Sequence, residues 1–220
     1  MSNTAGTVAA VSTESVSRQE RKQRTRQALL NSALELLTDR GFASLSLREV
    51  TKRAGIVPTA FYRHFGSMDE LGVALVEESM RTLRRMIRAA RDDVTSYAGL
   101  IHASVAILFE HVRAHEDHFR FLTRERYGGA GPVQQAIGAE LKLFATELAV
   151  DLARFDYLRE WTTEDLHMMA DLIVTAMLST VVELIEARPR DAETDEQIVR
   201  TARKRLRLIV LGAASWRSKP

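Results

Sequence analysis

An all-α protein in two parts is predicted: an N-terminal three-helix domain with a helix-turn-helix, then a larger helical domain. Three observations carry this. Strong helix formers dominate the 220 residues, and no stretch alternates with the two-residue period of a strand. Only 4 Pro and 11 Gly are present, the glycines mostly where helical segments end. Charge is also uneven. Between Arg18 and Phe65, Arg18, Arg21, Lys22, Arg24, Arg26, Arg40, Arg48, Lys52, Arg53 and Arg63 stand against Glu20, Glu35, Asp39 and Glu49. That surplus of +6 leaves −4 on the rest of a chain whose net charge is +2. A basic segment on an otherwise acidic chain is the footprint of a polyanion-binding module, or else a solvated basic face.

Residues 1–17, rich in Ser, Thr, Ala and Val, have neither a basic start nor a continuous apolar run, so a disordered tail is expected rather than a signal peptide. The helix-turn-helix domain is expected over 18–66 and the larger helical domain over 67–220. Helix one spans about Arg18 to Arg40, with Leu29, Leu30, Ala33, Leu36 and Leu37 as its apolar stripe and Gly41 as its stop. Ser46 caps helix two and Glu49 completes a capping box. Ala54-Gly55 ends it, and Pro58 opens a short helix three running to about His64. After Gly66, Ser67 and Glu70 form a second capping box for helix four, to about Ala90.

Five further helices are expected: Tyr97–His115, Asp117–Arg126, Pro132–Leu158, Thr163–Glu186 and Glu193–Trp216. Breaks at Gly128–Pro132 and Ala187–Arg190 separate them. The apolar run Leu172–Ile185 is too short for a membrane span and reads as a core helix. Ile198, Ala202, Leu206, Ile209, Ala213 and Trp216 recur on one face of the last helix. The last two helices hold more apolar surface than one small core needs, which points to a homodimer interface. With no cysteine, disulfides and thiolate metal sites are excluded, and a cytoplasmic setting is expected.

Two short helices joined through Gly55-Ile56-Val57 have helix-turn-helix spacing, whose second helix enters the major groove. That helix offers Thr59, Tyr62, Arg63 and His64 to phosphates or base edges. Helix one adds Arg24, Thr25 and Arg26, and the start of helix two adds Ser46 and Arg48. The competing reading is a plain three-helix subdomain with Tyr and His packed inward.

Thr25-Arg26-x-x-Leu29, Gly41-Phe42, Ser46-Leu47-Arg48-x-Val50, Ala54-Gly55-Ile56 and Phe61-Tyr62-Arg63-His64-Phe65 together resemble the DNA-binding pattern of TetR-type regulators. The resemblance implies a homodimer on palindromic double-stranded operator DNA, with 18–66 as its DNA-binding domain and 67–220 as its effector-binding, ligand-binding and dimerisation domain. It implies that Thr25, Tyr62 and His64 hold phosphates, and that Arg48, Thr59 and Arg63 read bases or shape. Phe42, Phe61 and Phe65 are then core. The sequence departs from the pattern at Val57, where Ser is common, at Ala60, where Thr or Ser is common, and at Met68, where Lys is common.

Phe42 to Val50, Pro58 to Phe65, Asp69-Glu70-Leu71-Gly72 and Phe119-Arg120-x-Leu122-x-Arg124-Glu125-Arg126 are similar to the fatty-acid biosynthesis repressor branch. This implies a repressor of lipid genes answering to long-chain acyl-CoA or fatty acids. The alternative is a repressor answering to another hydrophobic molecule, in drug or metabolite efflux control. Phe109, Phe119, Leu122, Phe144, Leu148, Met168, Met169, Leu172 and Met177 are candidates to line an acyl site, or are plain core. Arg120, Arg124 and Arg126 would hold a carboxylate or coenzyme A phosphates, or pair with Glu116 and Glu125. His111 and His115, with His118, Glu110 and Glu116 near, have metal-ligand spacing but read more simply as surface histidines; no metal or cofactor is expected. Nothing supports an enzyme: no nucleophile elbow, Gly-rich phosphate loop or spaced acid–base pair is present. A purely structural helical dimer would leave the basic head unexplained.

Overall fold

The structure, a computed structural model, describes residues 5–92 and 97–218. Among them are only helices and turns, divided between two compact units, Met1–Leu75 and Val76–Pro220. The first turns of helix four thus belong to the N-terminal unit, nine residues beyond the boundary expected at residue 66.

The N-terminal unit holds α1 (Ala5–Leu36), a 3-10 turn (Phe42–Ser44), α2 (Leu47–Arg53), α3 (Pro58–Phe61) and the start of α4 (Met68–Asp92). Two expectations for α1 are corrected. It is helical from Ala5, so the expected disordered tail is helix from there; no proline interrupts the segment, and helix propagates upstream more readily than it nucleates. Residues 1–4 of that tail lie outside the described residues. At its other end α1 stops at Leu36 rather than Arg40, and Gly41 is extended (φ −76°, ψ 156°), not a left-handed stop. Side chains close this end instead: Thr38 donates to the Glu35 carbonyl at 3.0 Å, and Arg40 Nε to the Leu36 carbonyl at 2.9 Å.

Ser46 caps α2 as expected, with both halves of its box formed with Glu49. At the other end Gly55 adopts φ +69°, a left-handed conformation that glycine enters without a Cβ penalty. The Gly55 and Ile56 amides then donate back to the Lys52 and Thr51 carbonyls at 3.2 and 3.0 Å, the paired bonds of a Schellman stop. The turn before α3 is thereby set by the backbone. Val57 offers α3 no side-chain cap, and Pro58 occupies the first turn, where its missing N–H costs little. The α-helix ends at Phe61, and His64 and Phe65 continue as a turn donating to the Phe61 carbonyl. Ser67 caps α4 through the Glu70 amide, but the reciprocal bond reaches one residue further upstream, from Gly66 N–H to Glu70 Oε2 at 2.6 Å. Leu29, Leu30, Ala33, Val50, Phe61, Phe65 and Leu71 form the buried core.

The C-terminal unit holds the rest of α4, then α5 (Tyr97–Ala114), α6 (Glu116–Gly128), α7 (Gly131–Leu152), a 3-10 turn (Asp156–Leu158), α8 (Thr163–Glu186) and α9 (Ala192–Ala213). α7 stops six residues short of the expected Leu158 because the chain extends at Phe155 and returns Leu158, fully buried, to the core. Thr162 and Asp191 cap α8 and α9 through the amides of Asp165 and Thr194. The apolar run lies in α8, which at 24 residues is long and apolar enough by length and composition to cross a membrane but packs on α7 and α9 as a core helix, with Met169, Ala170, Val174 and Leu184 buried. On α9, Ile198, Ala202, Leu206 and Ala213 face the core as expected, whereas Trp216 lies past the helix end and is half exposed.

Candidate nucleic-acid interface and effector cavity

In the N-terminal unit, α3 and its following turn put apolar and polar side chains on opposite sides. Phe61 is fully buried, while Tyr62, next in sequence, is 62% exposed. Thr59 and Arg63 are exposed, as are Arg24 and Arg48. Tyr62 and His64 are therefore not both packed inward. His64 is half-buried; its Nδ1 is closed to solvent without a hydrogen-bond partner. Burial first, and then the charges of Lys22, Arg26 and Arg63, hold its pKa below the ordinary 6.5. Three cations near this imidazole make a setting that favours an anion. Lys22, counted in the basic surplus but not singled out from sequence, joins this group only because α1 brings it near the turn after α3.

Other expected contacts have local duties. Thr25 donates its hydroxyl to the Arg21 carbonyl at 3.0 Å, a bond it would have to exchange in order to donate to a phosphate. Arg26 stacks on Phe65 with its guanidinium carbon 4.8 Å from the ring centroid. The Ser46 hydroxyl is engaged by Glu49 at 2.7 Å. The Ser46 hydroxyl and amide, and then Arg40, draw the Glu49 carboxyl from 4.5 down to about 2, so this cap stays charged through neutral pH.

Within the C-terminal unit a cavity of about 130 Å³ is walled by α4 to α9. Of the residues singled out from sequence, Phe119, Leu122, Phe144, Leu148 and Met177 line it, with Met80, Leu83, Ile137, Leu141, Ile173, Val181 and Leu206 among the further apolar walls. On α6 the lining residues are Phe119, Leu122, Thr123 and Arg126, one stripe at helical spacing.

The remaining expected lining residues are elsewhere. Phe109 faces an open cleft with Glu110, Asp195, Arg200 and Arg203. Met169 is core, while Met168 and Leu172 are 41% and 52% exposed on the outer face of α8. Helical spacing alone does not tell which of several apolar faces meets the cavity. Arg120 ion-pairs with Glu116, which also takes Arg190 at 2.6 Å. Burial raises the Glu116 pKa, but the Arg190 hydrogen bond and charge and then Arg120 outweigh it and lower the net value. Arg124 is half-buried away from the cavity.

Two of the three histidines leave the surface: His111 is buried and His118 half-buried, while His115 is exposed as the sequence suggested. His111 is 4% exposed, 4.5 Å from the His115 ring and edge-on to Phe119. Burial, then the charges of His115 and His118, lower its pKa from 6.5 to about 4. His118 Nδ1 meets Ser79 Oγ at 2.6 Å. Interior packing explains His111 and His118, and no group of three metal-ligating side chains occurs among the described residues.

Residues 29–75 match the model of bacterial regulatory proteins of the tetR family, and residues 97–205 match the tetracyclin repressor-like C-terminal domain. Solved structures share the fold. A TetR-family transcriptional regulator from Streptomyces coelicolor is 19% identical, covering 87% of this chain and 97% of its own, at a TM-score of 0.68. The fatty acid degradation regulator FadR from Bacillus halodurans is 15% identical, covering 89% and 97%, at 0.70. AibR, solved with isovaleryl coenzyme A and operator DNA, is 19% identical, covering 83% and 97%, at 0.62. The matched families and neighbours are transcriptional regulators, not enzymes. The chain belongs to the tetR family of bacterial regulatory proteins.

Proposed function

We propose that the protein is a ligand-responsive repressor that binds palindromic operator DNA as a homodimer. The observation that carries this reading is the exposed face after Phe61: Thr59, Tyr62 and Arg63 stand outward, and His64 holds an unpartnered nitrogen among cations. Tyr62, Thr25 and His64 would hold phosphates, while Thr59, Arg63 and Arg48 would meet bases, so that phosphate contacts set the register and base contacts set the sequence. Two such heads would occupy successive major grooves about 34–36 Å apart. For the dimer, α8 and α9 offer Met168, Leu172, Leu208 and Leu211, all 41% exposed or more.

The effector is a hydrophobic small molecule held in the C-terminal cavity, and fatty acids or acyl thioesters are the class we favour. The run Phe119 to Arg126 supports this, as do the named ligands and roles of AibR and FadR among proteins of the same fold. An effector shifts DNA affinity only by binding one state better than the other. α4, which has residues in both units, is the proposed lever.

Selection of duplexes from a random pool tests the reading. A two-fold symmetric consensus is expected, weakened for every sequence by Tyr62→Phe and only for the consensus by Arg63→Ala. Recovery of no enriched duplex would contradict it. Native mass spectrometry of the purified protein would identify a co-purifying ligand.

A further inference from the structure

We propose that the C-terminal cavity takes a compact carboxylic acid in its free form, with the carboxylate on Arg126 and the apolar body inside. This rests on the effector reading above and narrows it. The walls are almost wholly hydrocarbon; Ser104, Thr123 and Arg126 are the polar lining residues. Thr123 donates its hydroxyl to the Phe119 and Arg120 carbonyls at 2.9 and 3.1 Å, so its hydrogen is committed within α6.

Arg126 differs. Its Nε is closed to solvent with no hydrogen-bond partner, and among the described residues it forms no ion pair. Its guanidinium carbon lies 5.6 Å from the ring of Tyr127, which is 67% exposed. The group therefore lies between the apolar lining and the surface, with its Nε packed against protein and unmet. Arg120 lacks this freedom, since Glu116 already takes it. A guanidinium beside an apolar lining without a counter-ion is costly, and an anion bound at its terminal nitrogens would offset that charge. A carboxylate can form an ion pair with the guanidinium through two parallel hydrogen bonds, which a neutral thioester or ester carbonyl cannot.

Size selects within the acids. The free volume, about 130 Å³, resembles the roughly 150 Å³ apolar cavity that takes up benzene. A short or branched chain, or a single ring, matches that space; a palmitoyl chain does not.

The test is calorimetric titration of the full-length protein with butyrate, hexanoate, decanoate and palmitate, each beside its methyl ester and its coenzyme A thioester. Butyrate or hexanoate should bind most tightly, decanoate and palmitate more weakly, and the neutral esters of the best acid about tenfold to a hundredfold more weakly than the acid. Arg126→Gln should lose the same factor for the acid and leave the ester unchanged, and Arg126→Lys should regain part of it. Circular dichroism checks that the variants fold; should Arg126→Gln fail to, the acid–ester comparison on the unaltered protein decides. Thioesters or esters binding as tightly as acids, palmitate binding most tightly, or no acid binding at all would overturn the assignment. Operator affinity measured with and without the acid separates the two readings. An acid that binds through Arg126 without shifting operator affinity sinks the effector role and leaves the site assignment standing.

Discussion

In the N-terminal unit the chemistry faces outward over a sealed core: Phe61 is fully buried and Tyr62 beside it is 62% exposed. In the C-terminal unit the order inverts. Phe119, Leu122 and Phe144 turn toward an internal space, and the polar edge of that space is a guanidinium with an unmet Nε. A surface that docks a polyanion is built from residues near in sequence, on short helices fixed by caps and one left-handed glycine. A cavity is what several long helices leave between them, and each contributes only the stripe that happens to face inward.

The largest effects should show whether the units are separable. Phe61→Ala should cost the N-terminal unit about 3–5 kcal/mol, and Leu184→Ala the C-terminal unit about 2–5 kcal/mol. Amide exchange in denaturant should show protection lost over residues 29–65 for the first and over α8 for the second. Equal loss in both units for either variant would break the comparison.

Next comes pH. The folded C-terminal unit holds His111 neutral, with a pKa of about 4 against an ordinary 6.5. Between those values the unfolded chain binds the extra proton, so acid favours unfolding. Stability is full above about pH 6.5 and falls as pH drops toward 4, by up to about 3 kcal/mol. Denaturant midpoints measured across that range should flatten in His111→Leu. An identical slope in the variant would remove His111 from the account.

A smaller change sharpens the N-terminal side. Val57 is 63% exposed and gives α3 no side-chain cap. Val57→Ser should therefore raise stability by up to about 1 kcal/mol, seen as a higher melting temperature, since it adds an acceptor for an orphan amide and gives up little burial.

The same contrast explains what could be read from sequence. The Ser46–Glu49 box, the Gly55 turn and Pro58 at a helix start are local signals, and each forms where its residues are. Gly41 misled because a glycine after an apolar stripe has two uses, and here Arg40 and Thr38 close the helix instead. In the C-terminal unit the periods of α6 to α9 were readable, but not their facing. Phe119 and Phe109 look alike in sequence, yet one lines the cavity and the other an open cleft. His111 carries no sign of its burial until Phe119 is packed against it. The Arg120, Arg124 and Arg126 trio was visible, but only tertiary structure shows that Glu116 claims the first and that the last is left unmet.

The most direct test of the central claim, that the face around Tyr62, Arg63 and His64 docks on duplex DNA, is a salt titration of binding to the selected duplex. Each neutralised phosphate adds about −0.9 to the slope of log K against log salt. The account predicts a steep linear fall for the unaltered protein, and weaker binding at every salt concentration for Tyr62→Phe. A flat salt dependence, or affinity unchanged in Tyr62→Phe and Arg63→Ala alike, would contradict it.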